Sequence, residues 1–270
     1  MRLKPLLPLI FIALPWAAHA DDSQSKPGDW TGTGELGLAL TRGNTKSENL
    51  NAKLNFNKED ATWKDNFYLT ALRNNGEVTV TRVVDGKEVS RDEYQATANR
   101  FEGGASIGYK LSPRDYVISA ARYEKDDFAA YKWQAAVSIG YGYIAIKNPK
   151  TELSFEAGPG YKRVQPVDKL VISGDPPVQS TVTPASEGSV IGRGLVNFSH
   201  KFNASTSIEN KLLIEAGSDG RFAQNDFGLV VKMNSRLALK LGHQLRYNSN
   251  ISPGTKHSDQ LLTTNLVYSF

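Results

Sequence analysis

Residues 261–270 read Leu-Leu-Thr-Thr-Asn-Leu-Val-Tyr-Ser-Phe, and their side chains divide by strict alternation. Leu262, Thr264, Leu266, Tyr268 and Phe270 share one face, while Leu261, Thr263, Asn265, Val267 and Ser269 share the other. Period two is the repeat of a β-strand, and two aromatics at its end suit a strand that meets an apolar medium and stops at an interface. A membrane-crossing strand is the expectation here, and it holds only if the rest of the chain repeats the pattern.

Reading outward from this strand finds about twelve such segments, each near or above the roughly 9–11 residues a tilted transmembrane strand needs. They are expected at Trp30–Thr41, Ser47–Glu59, Thr62–Asn74, Glu93–Leu111, Asp115–Asp126 and Tyr131–Ile146, then Thr151–Arg163, Gly188–Lys201, Ala204–Gly217, Arg221–Asn234, Ser235–Asn250 and Ser258–Phe270. The second is the clearest: Leu50, Ala52, Leu54 and Phe56 alternate with Asn49, Asn51, Lys53, Asn55 and Asn57. Facing is left open around Val117 and Leu195, where the contrast between the two sides is weak.

The links carry an independent regularity. Glu59-Asp60-Ala61, Ser112-Pro113-Arg114, Asn148-Pro149-Lys150, Phe202-Asn203-Ala204 and Asn234-Ser235 are tight turns rich in Pro, Asn, Asp and Ser, and they follow every second strand. The other links are longer or richer in glycine, notably 75–92 and the proline-bearing 164–187. Short turns on one rim and long loops on the other predict a single antiparallel transmembrane β-barrel over residues 29–270, with both termini on the short-turn, periplasmic side. Aromatics then sort into two girdles. Trp30, Phe56, Trp63, Tyr109, Tyr116, Tyr143, Phe202 and Phe270 lie toward the short turns; Tyr94, Phe128, Tyr131, Tyr161, Phe222 and Tyr247 lie toward the long loops. The rival is an exported soluble β-sandwich, which the strand length and the alternation of link lengths disfavour.

At the other end, Arg2 and Lys4 precede an apolar run to Ala18, and Ala18-His19-Ala20 is a small-x-small cleavage site. Residues 1–20 are therefore expected to be a cleaved export signal and 21–28 a short flexible leader. Losing residues 1–20 removes two cations and no acids, so the formal charge of +4 falls to +2. With no basic run in a nearly balanced chain, nucleic acid is excluded as an expected partner. Cysteine is absent, which removes disulfides and thiolate chemistry. The mean hydropathy of −0.40 is no argument for solubility, because only alternate residues of a membrane barrel touch lipid.

Arg42-Gly43-Asn44-Thr45, Tyr123-Glu124-Lys125-Asp126-Asp127-Phe128, the Gly140-Tyr141-Gly142-Tyr143 run, Leu245 to Asn250 and the closing Leu266 to Phe270 together resemble a domain-of-unknown-function family. Its members are named as salt-induced outer membrane proteins of the YdiY type. The resemblance covers nearly the whole chain after residue 20. It implies an outer-membrane barrel reached by export through the periplasm, with lipid, lipopolysaccharide and the barrel assembly machinery as partners. It implies no activity and no functional residues. The terminal strand also resembles that of other outer-membrane barrels, whose assembly machinery reads a terminal aromatic; Tyr268 and Phe270 fill that place here. The proline-rich stretch after Val164 departs from the family pattern.

The alternation assigns Lys53, Arg100, Glu102, Lys132, Glu152, Glu156, Glu209, Lys211, Lys240 and Arg246 to the lumen, where charge escapes the cost of facing hydrocarbon, roughly 2–4 kcal/mol for Lys or Arg at midplane. Two readings follow from twelve strands, between the roughly eight that enclose a filled interior and the sixteen or more that leave a channel. One is a narrow, weakly selective channel for ions or small solutes; the other is a non-conducting barrel whose extracellular loops bind a partner. A lipid-facing hydrolase is the third class. His243 falls among outward leucines, but the expected register sets Thr264 across from it, and no nucleophile geometry follows. No metal-ligand spacing and no cofactor motif is found.

Overall fold

The computed structural model describes residues 28–41, 46–84, 87–173, 178–251 and 256–270. The expected export signal, the leader up to residue 27 and the family-like stretch 42–45 lie outside them. Alternating residues form strands β1 Trp30–Thr41, β2 Ser47–Glu59, β3 Trp63–Val84, β4 Lys87–Lys110, β5 Asp115–Asp126, β6 Tyr131–Lys147 and β7 Thr151–Pro166. There follow β8 Lys169–Ser173, β9 Val178–Val182, β10 Glu187–Lys201, β11 Thr206–Gly217, β12 Gly220–Lys232, β13 Leu237–Asn248 and β14 Ser258–Ser269.

Twelve of these close into a ring: β1 to β7 in order, then β10 to β14, with β14 returning to β1 and each neighbour antiparallel. Closure gives every strand of the ring a partner on both sides over at least part of its length, which is what lets a sheet stand in a bilayer. The pleat sorts the side chains. Leu36, Leu38, Leu69, Ile107, Val137, Ile139, Leu241 and Leu262 are exposed on the outside, while Glu35, Glu102, Glu124, Glu156, Glu215, Lys240 and Arg246 are buried within. An apolar exterior around a charged interior identifies an outer-membrane barrel.

The five short turns share one construction. In each, a side-chain oxygen of Asp60, Ser112, Asn148, Asn203 or Asn234 accepts from the backbone N–H groups two and three residues on. The backbone N–H of the same residue donates to the carbonyl three residues on. This is why Asn, Asp and Ser recur at these positions: a short polar side chain satisfies groups that the ladder has released.

The long links differ from the expectation. The described residues 75–84 and 87–92 are no loop: β3 and β4 continue past the rim, pairing with each other from Glu77↔Tyr94 to Val84↔Lys87. Eight such residues extend about 25 Å at about 3.3 Å each. Alternating Val and Thr in Val78-Thr79-Val80-Thr81 is strand-forming on its own terms. Tyr94 thereby leaves its expected girdle for this ribbon. Within 164–187, β8 and β9 make a second two-stranded sheet that stands apart from the ring.

Three other expected girdle aromatics turn inward. Tyr116, Tyr131 and Phe222 are among the most buried residues, and Gly142 leaves the space that the Tyr116 ring fills, since a Cβ there would lie 2.2 Å from it. At the seam, Gly32 accommodates the ring of Phe270 in the same way, and their backbones exchange hydrogen bonds of 2.7 and 2.9 Å. The β1–β14 ladder is short, however, running from the Gly32–Phe270 pair only as far as Leu36↔Leu266, whereas β1 pairs with β2 from Trp30 to Thr41.

Candidate functional site

Inward parity brings the lumen charges together around a cavity of about 500 Å³. Its wall includes Lys53, Arg100, Glu102, Glu152, Glu156, Glu209, Lys211 and Lys240 of the expected set, with Glu35, Asn51, Lys64, Arg193 and Asn265 beside them. At mid-depth Lys240 donates to Glu35 at 2.8 Å and also meets Glu209, and Asn265 donates to the second oxygen of Glu35 at 3.2 Å. Tyr68 donates to Glu102 at 2.7 Å, and Glu156 accepts from Arg193 and from Tyr116, both at 3.0 Å. The Lys211 ammonium lies 4.9 Å from the centre of the Tyr68 ring, which belongs to the facing wall. Such pairing stabilises charges that water alone would otherwise have to solvate.

Toward the long-loop rim the cavity stops at a buried layer. Arg122 holds Glu215 with two guanidinium nitrogens, at 2.8 and 3.3 Å, and reaches Glu124 at 2.8 Å. Arg246 donates to the other oxygen of Glu124 at 2.6 Å, and Tyr131 donates to the same oxygen at 2.7 Å. Both guanidinium groups lie over the Phe222 ring, 4.8 and 5.2 Å from its centre. Gln134 caps Tyr131, and Arg100 meets Gln244, which donates in turn to Asp226. Glu124 is 0% exposed. In the ring of twelve, β5 and β13 stand opposite each other, so the Arg246–Glu124 pair crosses the lumen.

The other end is wet. Glu59 meets Lys110 at 2.7 Å, Lys147 at 2.5 Å and Lys64 at 3.9 Å, and Lys64 also reaches Glu152 at 3.3 Å. Glu59, Lys64, Lys147 and Glu152 all stay partly exposed, and the cavity wall extends to this rim.

Two expected lumen residues lie elsewhere than the open cavity. Arg246 is in the buried layer. Lys132 sits at a bulge where the β6–β7 register shifts between Tyr131 and Trp133, so that Tyr131 takes the inward place. Its ammonium instead bonds Asp168, in the link after β7, at 2.7 Å. That contact, with the Thr183 hydroxyl, holds the Asp168 carboxyl below the usual range. His243 is paired in register with Leu262 rather than Thr264, and its ring nitrogen lies 3.4 Å from the Gln260 amide oxygen.

Arg122 and Glu124 were missed because Val117, Ser119 and Ala121 oppose Ile118 and Ala120 with no contrast in polarity. The signal that was available is that Arg122, Glu124 and Asp126 share one parity, which charged residues in a membrane strand adopt only toward the lumen. Among the described residues no group of three or more His, Cys, Asp and Glu side chains is arranged to hold a metal ion.

Residues 34–270 match a family profile described as "Protein of unknown function, DUF481". No curated protein matches the sequence. Among solved structures, the translocator domain of the autotransporter NalP from Neisseria meningitidis is similar over 92% of this chain and 90% of its own, at 10% identity and a TM-score of 0.46. The NanC porin is similar over 89% and 98%, at 8% identity and 0.43. The β domain of the Bordetella autotransporter BrkA is similar over 90% and 98%, at 10% identity and 0.43.

Proposed function

This chain belongs to the DUF481 family, and we propose that it is an outer-membrane barrel that does not conduct at rest. Its lumen serves as a vestibule open to the periplasm and sealed on the outer side. The observation that carries this reading is the Arg246–Glu124 pair between opposite strands, buttressed by Arg122, Glu215, Tyr131 and Phe222. Arg246 bonds Glu124 through one nitrogen, while beside it Arg122 grips Glu215 with two; charge-assisted contacts of this kind packed on an aromatic ring are among the stiffer closures available to side chains. Orientation follows from the short turns facing the periplasm, with residues 1–20 acting as the export signal and Tyr268 and Phe270 as the assembly signal.

Planar-bilayer recording of the refolded protein tests it. The unaltered protein gives no steady current at neutral pH, and the triple substitution Arg122→Ser, Glu124→Ser, Arg246→Ser opens a stable one. Steady current from the unaltered barrel would overturn the sealed reading in favour of a narrow channel for small solutes.

A second role is favoured by the ribbon formed by β3 and β4 beyond the rim. Its two outer edges take no ladder partner over residues 78–84 and 87–93, and it stands where an extracellular partner or lipopolysaccharide would meet it. A contribution to envelope stress tolerance rests on the resemblance to salt-induced outer membrane proteins.

A further inference from the structure

We propose that the upper half of the β1–β14 seam is a lateral portal. Through it an amphipathic molecule, with a hydrocarbon tail and a small polar head, passes between the lumen and the bilayer. This rests on the sealed layer described above, which leaves the vestibule without an axial way out on that side.

Three observations meet at one place. First, the ladder between β1 and β14 ends at Leu36↔Leu266, and beyond it Gly37–Thr41 runs past Leu261–Asn265 without pairing, although both segments are strands. Backbone groups left unpaired at membrane depth are tolerated only where they line a cavity or meet another polar group. Second, the cavity wall includes Leu261, Thr263 and Asn265, the inward residues of that same stretch of β14. The unpaired seam and the vestibule are therefore contiguous. Third, the lower margin of the gap is polar and crowded. A Cβ on Gly37 would lie 2.3 Å from both Asn265 Oδ1 and Asn51 Nδ2, and Asn265 Oδ1 is buried with no hydrogen-bond partner while its Nδ2 donates to Glu35.

The chemistry of the occupant follows from the two sides of the gap. Outside, Leu38 and Leu262 flank it and are 66% and 77% exposed, an apolar entrance for a tail. Inside, the orphaned carbonyl of Asn265, the Thr263 hydroxyl and the Lys240–Glu35 pair present acceptors and charge to a head group. Backbone pairing elsewhere in the ring is longer, so this seam is where side chains rather than the ladder close the wall.

The absence of cysteine makes a test simple. Continuing the observed register sets Leu38 opposite Thr264, so the double substitution Leu38→Cys, Thr264→Cys allows the seam to be locked by oxidation, or by a short bismaleimide where the gap is too wide for a disulfide. The barrel is placed in lipid nanodiscs with nitroxide-labelled stearate, and the protein-bound component of its spectrum is measured. Binding is expected in the unaltered protein and in the reduced variant, with a loss of about tenfold on locking and recovery on cleaving the disulfide. Asn265→Ala, which leaves the ladder intact, is expected to weaken binding without changing the heat-modifiable gel mobility of the folded barrel. Equal binding by locked and unlocked forms, or none by the unaltered protein, would overturn the portal. Seam-dependent binding accompanied by steady axial current would keep the portal and reject the sealed layer.

Discussion

Charges cross the lumen at two depths, with opposite outcomes. In the layer toward the long loops, Arg122 and Arg246 meet Glu124 and Glu215 under near-complete burial, on the face of Phe222. At the short-turn rim, Lys64, Lys110 and Lys147 meet Glu59 and Glu152, and most of these side chains remain partly exposed. The net inventory of charge is similar, so it does not decide whether a level is shut. What decides it is the cation and its surroundings: planar guanidinium groups stack and bind bidentately in a dry layer, while flexible ammonium groups in water hold only a loose, salt-screened contact.

The comparison breaks most readily at Glu124. Glu124→Gln leaves two guanidinium groups facing each other without their shared anion, and unfolding by urea in lipid vesicles is expected to show a loss of about 3–5 kcal/mol. A loss below about 1 kcal/mol would mean that the upper layer is as wet as the rim. Next in size, Phe222→Ala removes the surface both guanidinium groups rest on and is expected to cost about 3 kcal/mol in the same measurement. At the rim, Glu59→Gln should cost less than about 1 kcal/mol, and that cost should vanish at about 1 M salt, where the screening length is about 3 Å. The Glu124→Gln loss should persist there, and its disappearance would erase the distinction between the two levels.

The smallest effect sharpens the comparison from outside the barrel. Asp168 is exposed, and its contacts with Lys132 and Thr183 lower its carboxyl below the ordinary value. A lowered folded value means that the tie is present at neutral pH and is lost as pH falls from about 4 through that lower value. Hydrogen exchange of the link after β7 is therefore expected to quicken in that acid window, and in Lys132→Met at neutral pH as well. Unchanged exchange in Lys132→Met would show that the ion pair does not restrain the link.

Most strands were legible, and the reasons are particular. Leu50 to Asn57 alternates without exception, and β1, β2 and β5 have the bounds that alternation and turn residues predict. Inward parity was readable where charges alternate with aliphatics, as Lys240 does with Leu239 and Leu241. It failed at Lys132, because a bulge inserts one residue and reverses parity locally, and at Tyr116, Tyr131 and Phe222, because an aromatic ring serves equally well at an interface and beneath a cation. The ribbon beyond the rim was misread as a loop because length alone suggested that the chain had left the membrane. It had, while remaining paired.

Alternation and short polar turns, both properties of adjacent residues, by themselves determined that this chain crosses a membrane as an antiparallel barrel with a charged interior. Which charges meet was decided only by the closed ring. Arg246 and Glu124 lie 122 positions apart in the chain, and they touch because the number and stagger of the strands set β13 across from β5. The same closure left the β1–β14 ladder short, a property of how the two ends of the sheet are joined that no local pattern in either strand encodes.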